Sequence, residues 1–287
     1  MSVTVLVRVG WRLAFGMIDL HSHILPGLDD GSPSLATSLE MARMAVDDGI
    51  THMACTPHIV PGLYDNDCAS IVDRMSLLEA ALAASSIKLR LFSGADVHIA
   101  PDLPEKLRAG TVPSINGSRY FLFEPPHHIL PPKIEELAAR LIKAGFVPIL
   151  THPERLTWIK SHYRVIENLN ALGCLIQLTA DSITGNFGKT SLYYSEKLID
   201  EGRVDIIASD CHGTKSRRPL LSRARSILES RVGSAEAERM VLKRPAAILS
   251  NSLIAPAGQS VPPSVETAAP PSEKKSLLGR LLKGGAR

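Results

Sequence analysis

The chain is short of cysteine, nearly balanced in charge and without a long apolar run. Its four cysteines, Cys55, Cys68, Cys174 and Cys211, show no C-x-x-C spacing and are too few for a disulfide framework. That pattern excludes a disulfide-stapled secreted scaffold and fits a reducing, cytoplasmic location. A net charge of +3 offers no general attraction for nucleic acid. No stretch of about 18 apolar residues occurs, so no membrane-spanning helix is expected. What is present is a long alternating body. The 287 residues, 45% of them hydrophobic, suffice for one large α/β domain or two smaller ones.

Composition divides the chain into three parts. Residues 1–16 are apolar with two arginines, too short to span a membrane and without a small-residue cleavage site. They read as an extension upstream of a natural start at Met17; the rival reading is a weak targeting segment. Residues 17–250 form the body. Residues 251–287, rich in Pro, Ala and Ser, read as a disordered tail. Its basic amphipathic end, Lys274 to Lys283, suits contact with an anionic membrane surface or a partner, or equally a frayed, solvated terminus.

Within the body, short β-branched runs alternate with stretches of helical period. The pattern predicts strands at about 17–21, 50–55, 88–93, 119–123, 147–151, 174–179 and 204–209. It predicts helices at about 34–48, with Ser34 as N-cap, and at about 67–84, 102–109, 133–144, 162–171 and 190–201. Two or three more follow over about 219–250. Seven strands alternating with helices imply a mainly parallel sheet, open or closed into a barrel. In parallel barrels chemistry gathers where strands end.

The residues at those ends are the sequence's main signal. His21 and His23, two apart, fall where the first strand meets a loop, so both imidazoles face one side. Asp30 follows in that loop. His58 follows the second strand, Asp96 the third, Glu124 the fourth, His152 the fifth, and Asp210 with His212 the seventh. Only the sixth, ending near Gln177, supplies no obvious ligand. Imidazole and carboxylate without thiolate suit Mn²⁺, Fe or Zn²⁺ rather than a structural zinc finger. Nine ligands exceed one ion's needs, so a cluster is implied, of the kind that drives displacement at phosphorus. Arg155 and Arg217 would sit at the same rim, where a guanidinium fork fits a phosphate ester. His52, His98, His127, His128 and His162 carry no such argument; His162 reads as a helix start, and His127 and His128 as part of a proline-flanked loop, solvated in the preferred reading and lining the cleft in the alternative.

Ile18 to Gly31, Thr56-Pro57-His58, Gly117 to Glu124, His152-Pro153-Glu154-Arg155 and Ser209-Asp210-Cys211-His212 closely resemble the PHP superfamily. More narrowly they resemble bacterial tyrosine-protein phosphatases of the capsular and exopolysaccharide type. The resemblance implies a distorted (β/α)7 barrel and a trinuclear, typically manganese-dependent site that hydrolyses phosphotyrosine. It implies one metal on His21, His23, Asp96 and Asp210, a second on Asp96, Glu124 and His152, and a third on Asp30, His58 and His212. Arg155 and Arg217 match phosphate-binding arginines, and the implied partner is a phosphotyrosine protein, a cytoplasmic tyrosine kinase of exopolysaccharide synthesis. Oligomeric state is left open.

Two positions depart from the pattern. Asp96 stands where the family leads one to expect glutamate, and Cys211 where a small residue is usual. Cys211 and Arg217 also satisfy the C-x5-R spacing of cysteine-dependent tyrosine phosphatases. That reading is disfavoured because Asp210 opposes a thiolate, the loop holds one glycine, and the other strand-end residues would go unexplained. Two further alternatives are a small-molecule phosphatase or phosphodiesterase of the histidinol-phosphate type, and a non-catalytic, metal-stabilised module docking through the basic tail.

Overall fold

The computed structural model describes residues 16–254. The expectations for residues 1–15 and for the basic end of the tail lie outside the described residues. Chain order begins β1 (Met17–Asp19), α1 (Leu35–Asp47), β2 (Ile50–Cys55), β3 (His58–Ile59), α2 (Cys68–Ala84), β4 (Arg90–Ser93), β5 (Asp96–His98) and α3 (Leu103–Ala109). It continues β6 (Tyr120–Glu124), α4 (Ile134–Lys143), β7 (Val147–Thr151), α5 (Ile159–Leu172), β8 (Leu175–Thr179), α6 (Ala180–Ile183), α7 (Gly188–Asp200) and β9 (Ile206–Ala208). Helices α8 (Ser222–Val232), α9 (Ser234–Glu238) and α10 (Arg244–Leu249) follow, with a π-helical turn over Arg239–Lys243 joining the last two. Ser34 caps α1 as expected, its side chain accepting from Thr37 N.

Every strand pair is parallel. The strands fall into two sheets, β1-β2-β4 and β3-β5-β6-β7-β8-β9. The division is a pair of interruptions, not a second domain. Thr56-Pro57 breaks one strand path into β2 and β3, and Gly94-Ala95 breaks the next into β4 and β5. Proline withholds a donor and glycine weakens the ladder, so both paths yield at those points. Each resumes in the neighbouring sheet, leaving seven strand paths. The first and last meet at a parallel bridge between Ser22 and Cys211, where His23 N donates to Cys211 O at 2.9 Å. The ring is closed: a distorted seven-stranded barrel wrapped by helices.

Period-two alternation sorts the side chains. Tyr120, Leu122, Ile149, Leu175 and Ile206 pack together inside the barrel, where Ile248 and Leu249 of α10 join them from below. Phe121, Phe123, Leu150, Ile176 and Ile207 face the helices. The interior is therefore filled at its base and opens at the C-terminal ends of the strands, where the same alternation turns Glu124 and Gln177 inward. The body extends slightly past 250: Arg119 N donates to Asn251 Oδ1 at 3.0 Å, and the Tyr120 hydroxyl donates to Ser252 O at 2.7 Å. His162 does not start α5; it breaks the helical backbone inside the first turns, at φ −134°. Among the described residues no helix is long and apolar enough to cross a membrane.

Candidate metal centre

Asp19, buried at the end of β1, ties the seam together. Its carboxylate accepts from Ser209 N at 3.0 Å and from the Ser209 hydroxyl, across the join to β9. Burial raises its carboxyl to about 6 against the pull of those hydrogen bonds. The clamp sets His21 and His23 beside Asp210. Both histidines lie just beyond the regular strand, are fully buried and have ring centroids 5.3 Å apart.

Each of the two imidazoles is held from behind. His21 Nδ1 lies 2.8 Å from Gln177 Oε1, and His23 Nδ1 lies 2.6 Å from Asp29 Oδ2. Both partners are acceptors, which places a proton on each Nδ1 and turns both Nε2 atoms to the basin. The two Nε2 atoms are 3.2 Å apart. So aimed, the two Nε2 atoms can serve one cation. Asp29 also accepts from Gly31 N and His58 N, both at 2.9 Å. Position 31 must be glycine for this loop, because a Cβ there would sit 2.2 Å from His23 O.

The remaining strand-end groups close round the pair. His21 Nε2 is 3.2 Å from Asp96 Oδ2 and 3.3 Å from Asp210 Oδ1, which is also 3.3 Å from His23 Nε2. His58 Nδ1 faces Asp96 Oδ2 at 3.5 Å and Glu124 Oε2 at 3.4 Å, while its Nε2 is 3.6 Å from Asp30. His212 Nε2 is 3.3 Å from Asp30, and His152 Nε2 is 3.8 Å from Glu124. Burial disfavours charge on His21, but Asp210 and Asp96 outweigh it and raise its pKa to about 9. Burial likewise opposes ionised Asp210, yet His21, the flanking arginines and His23 hold its carboxyl well below the usual range. Glu124 moves the other way, raised by burial and then by Asp96.

All nine residues singled out from the sequence meet in this basin. Their ligand atoms form overlapping groups whose members lie within 4.8 Å of one another: His21-His23-Asp96, His21-His152-Asp210, His58-Asp96-Glu124 and His23-Asp30-His58-His212. A fifth group, Glu124-His127-His152, corrects one expectation. The loop is exposed at His128 and Ile129, but His127 is half-buried and turns inward, its ring 5.1 Å from that of His152. A direct test of fit comes from the buried polar atoms. Both Asp96 oxygens, His58 Nδ1, His152 Nδ1 and His212 Nε2 are buried without a well-formed hydrogen bond. Buried polar atoms are normally paired, and hard oxygen and imidazole donors so placed fit divalent cations.

The backbone is strained here. His152, Asp210 and Arg217 adopt left-handed φ values of 35°, 50° and 47°. Such conformations cost on the order of 1–3 kcal/mol each and persist where the surroundings enforce them. The turn at His152 brings Arg155 inward, and the turn at Arg217 does the same for its own guanidinium. Both arginines grip Asp210 Oδ2, Arg217 Nη2 at 2.7 Å and Arg155 Nη1 in a still shorter contact. The two arginines expected at one rim thus converge on one carboxylate.

Cys211 points away from this basin. It is fully buried in the helix-facing core, and burial, then Asp19, push its thiol far above the ordinary range. His212 N and Gly213 N both turn back to Arg217 O, so those amides are unavailable to cradle a phosphate. Three functional neighbours escaped the sequence reading: Asp29, Gln177 and His127. Gln177 was detectable as the inward residue of β8, two after Leu175. For the Asp29-Asp30 pair, no pattern distinguishes which one backs a histidine and which faces outward.

The comparisons bear on this geometry. The family described as capsular polysaccharide synthesis, CpsB/CapC, matches residues 17–250. The chain belongs to the CpsB/CapC family. It is 34% identical over 218 residues to the tyrosine-protein phosphatase YwqE of Bacillus subtilis, covering 76% of this chain and 86% of that protein. It is 25% identical over 243 residues to the tyrosine-protein phosphatase CpsB of Streptococcus pneumoniae, covering 83% of this chain and all of the other. A solved structure from work on YwqE and CpsB, described as unique metal-dependent tyrosine phosphatases, superposes with a TM-score of 0.80 at 33% identity, covering 84% of this chain and 97% of that one. The CpsB/CapC match spans the barrel from its first strand to its last helix, so every element that carries the basin falls inside it.

Proposed function

We propose that this CpsB/CapC chain is a metal-dependent protein-tyrosine phosphatase acting on a phosphotyrosine protein. The observation that carries the reading is the paired Nε2 atoms of His21 and His23, backed by Gln177 and Asp29, beside Asp96, whose two buried oxygens lack a well-formed hydrogen bond. His21, His23, Asp96 and Asp210 would hold one metal, Asp96, Glu124 and His152 a second, and Asp30, His58 and His212 a third. Carboxylate and imidazole donors without thiolate suit Mn²⁺, with Fe and Zn²⁺ as the alternatives. Such a cluster supplies positive charge for the phosphoryl oxygens and a nucleophile from water at neutral pH. Gln177 and Asp29 fix the tautomers that keep Nε2 basic. Arg155 and Arg217 exchange Asp210 for the phosphate, meeting it with the planar donors that suit a phosphoryl group. The family's capsular role and the tyrosine phosphatases among its members support a cytoplasmic tyrosine kinase of capsule or exopolysaccharide synthesis as the physiological target.

Exhaustive chelation should abolish hydrolysis of a phosphotyrosine peptide, and Mn²⁺ should restore it better than Mg²⁺ or Ca²⁺. Full turnover with metal loss verified by elemental analysis would overturn the metal reading. Arg155→Ala and Arg217→Ala should each lower kcat by about a hundredfold, the usual consequence of losing one donor to developing negative charge. Metal content should stay near that of the unmodified protein; an arginine variant stripped of metal would show that the guanidinium supports the centre instead of the substrate.

A further inference from the structure

Two aromatic rings stand on opposite walls of the barrel mouth, and neither takes part in the centre as described. Tyr64 lies in the turn after β3, where Tyr64 N donates to Val60 O at 2.8 Å. Its ring stacks on His58, 5.8 Å between centroids and 15° between planes. Phe187 lies in the turn between α6 and α7, flanked by the left-handed glycines Gly185 (φ 87°) and Gly188 (φ 86°). Its ring covers the Arg155 guanidinium, with Cζ 4.4 Å from the centroid. His58 belongs to the second strand path of the ring, Arg155 follows the fifth and Phe187 the sixth, so the two rings stand on opposite sides of the opening. Both are partly exposed. In a chain with only five tyrosines and six phenylalanines, their placement at one mouth is not diluted by other aromatics.

From this placement we propose that Phe187 and Tyr64 determine specificity, receiving the phenyl ring of an aryl phosphomonoester between them and selecting it over alkyl phosphates. The inference rests on the phosphatase reading above. A phosphate gripped by Arg155 sits beside the face of the guanidinium that Phe187 already covers. The group esterified to it must leave through the mouth, past one ring or the other. A phenyl group there meets two aromatic faces and gains offset or edge-to-face contact. An alkyl chain gains no such contact. Phe187 also restrains Arg155 through the cation–π contact, and that restraint acts on every phosphate ester alike. The two roles therefore separate by substrate.

The test compares phosphotyrosine and phosphoserine peptides of one sequence, together with inhibition by phenylphosphonate and methylphosphonate, using metal-loaded enzyme. Phe187→Ala and Tyr64→Ala should each reduce the aryl-to-alkyl ratio of kcat/KM by about tenfold, mostly through KM, and weaken phenylphosphonate by a like factor while sparing methylphosphonate. Phe187→Tyr should retain the ratio, and melting temperature with metal content certifies the fold of each variant. An unchanged ratio, with both substrates falling together, would overturn the proposal and leave Phe187 as a support for Arg155 only. An unmodified enzyme that hydrolyses neither peptide and binds neither phosphonate would instead defeat the phosphatase reading, and this proposal with it.

Discussion

His23→Ala should reduce phosphatase turnover by about a thousandfold or more, while Cys211→Ser keeps most of it. The imidazole removed in the first variant contributes one of two Nε2 atoms at the centre of the basin and is fixed there by Asp29. Loss of a metal donor and of its oriented partner strikes both affinity and charge stabilisation. Cys211, by contrast, is buried on the helix side, its thiol raised by burial and by Asp19. A thiol so placed is the opposite of a thiolate nucleophile. Replacing it with serine costs packing and some stability, not chemistry. Thiol-directed phosphatase chemistry predicts the reverse order, an inactive Cys211→Ser and a working His23→Ala. Assaying both variants on phosphotyrosine peptide at saturating Mn²⁺ separates the two, since no mechanism allows both rankings.

Asp96→Asn should lose metal from two sites at once. Its two buried oxygens lack well-formed hydrogen bonds, and Oδ2 faces both His21 and His58. Removing the anion withdraws charge from two neighbouring cations together. Metal per protein should fall by more than one equivalent, and activity by about a thousandfold, comparable to removal of a direct ligand. Asp96→Glu should be tolerated or improved, because the carboxylate gains reach without losing charge. Elemental analysis of Asp96→Asn showing an unchanged metal complement would remove this residue from the centre.

Much of this arrangement is legible in the sequence. Strand spacing and the residues after each strand located the basin, because in a parallel barrel those residues have nowhere else to converge. The helix boundaries fell within a few residues, with Ser34 serving as the expected cap. What was missed has two physical origins. Asp29 and Gln177 act by orienting histidines, and orientation leaves no trace in spacing. His127 is drawn inward by the loop after β6, whose path depends on contacts such as Thr157 N to His127 O at 2.9 Å, a partner distant in sequence. The continuation of two strand paths as β3 and β5 was hidden for a simpler reason: pieces of two and three residues carry too little periodicity to register. The grip of both arginines on Asp210 was likewise invisible, since it follows from left-handed turns at His152 and Arg217.

The seam between Ser22 and Cys211 sets an order of assembly. His21 and His23 are among the first residues of the barrel to be synthesised, and Asp210 and His212 come almost two hundred residues later. Bringing such distant segments together carries a loop-closure cost that intervening structure must first reduce. On a growing chain the two leading histidines therefore wait for the carboxylate they share, Asp210, until nearly the whole barrel has left the ribosome. A chain stopped before β9 would carry six of the seven strand paths and no complete cation-binding basin. Competence to hold the full cluster thus arrives in one late event, because a chain ended before Asp210 lacks a ligand of two of the three proposed sites.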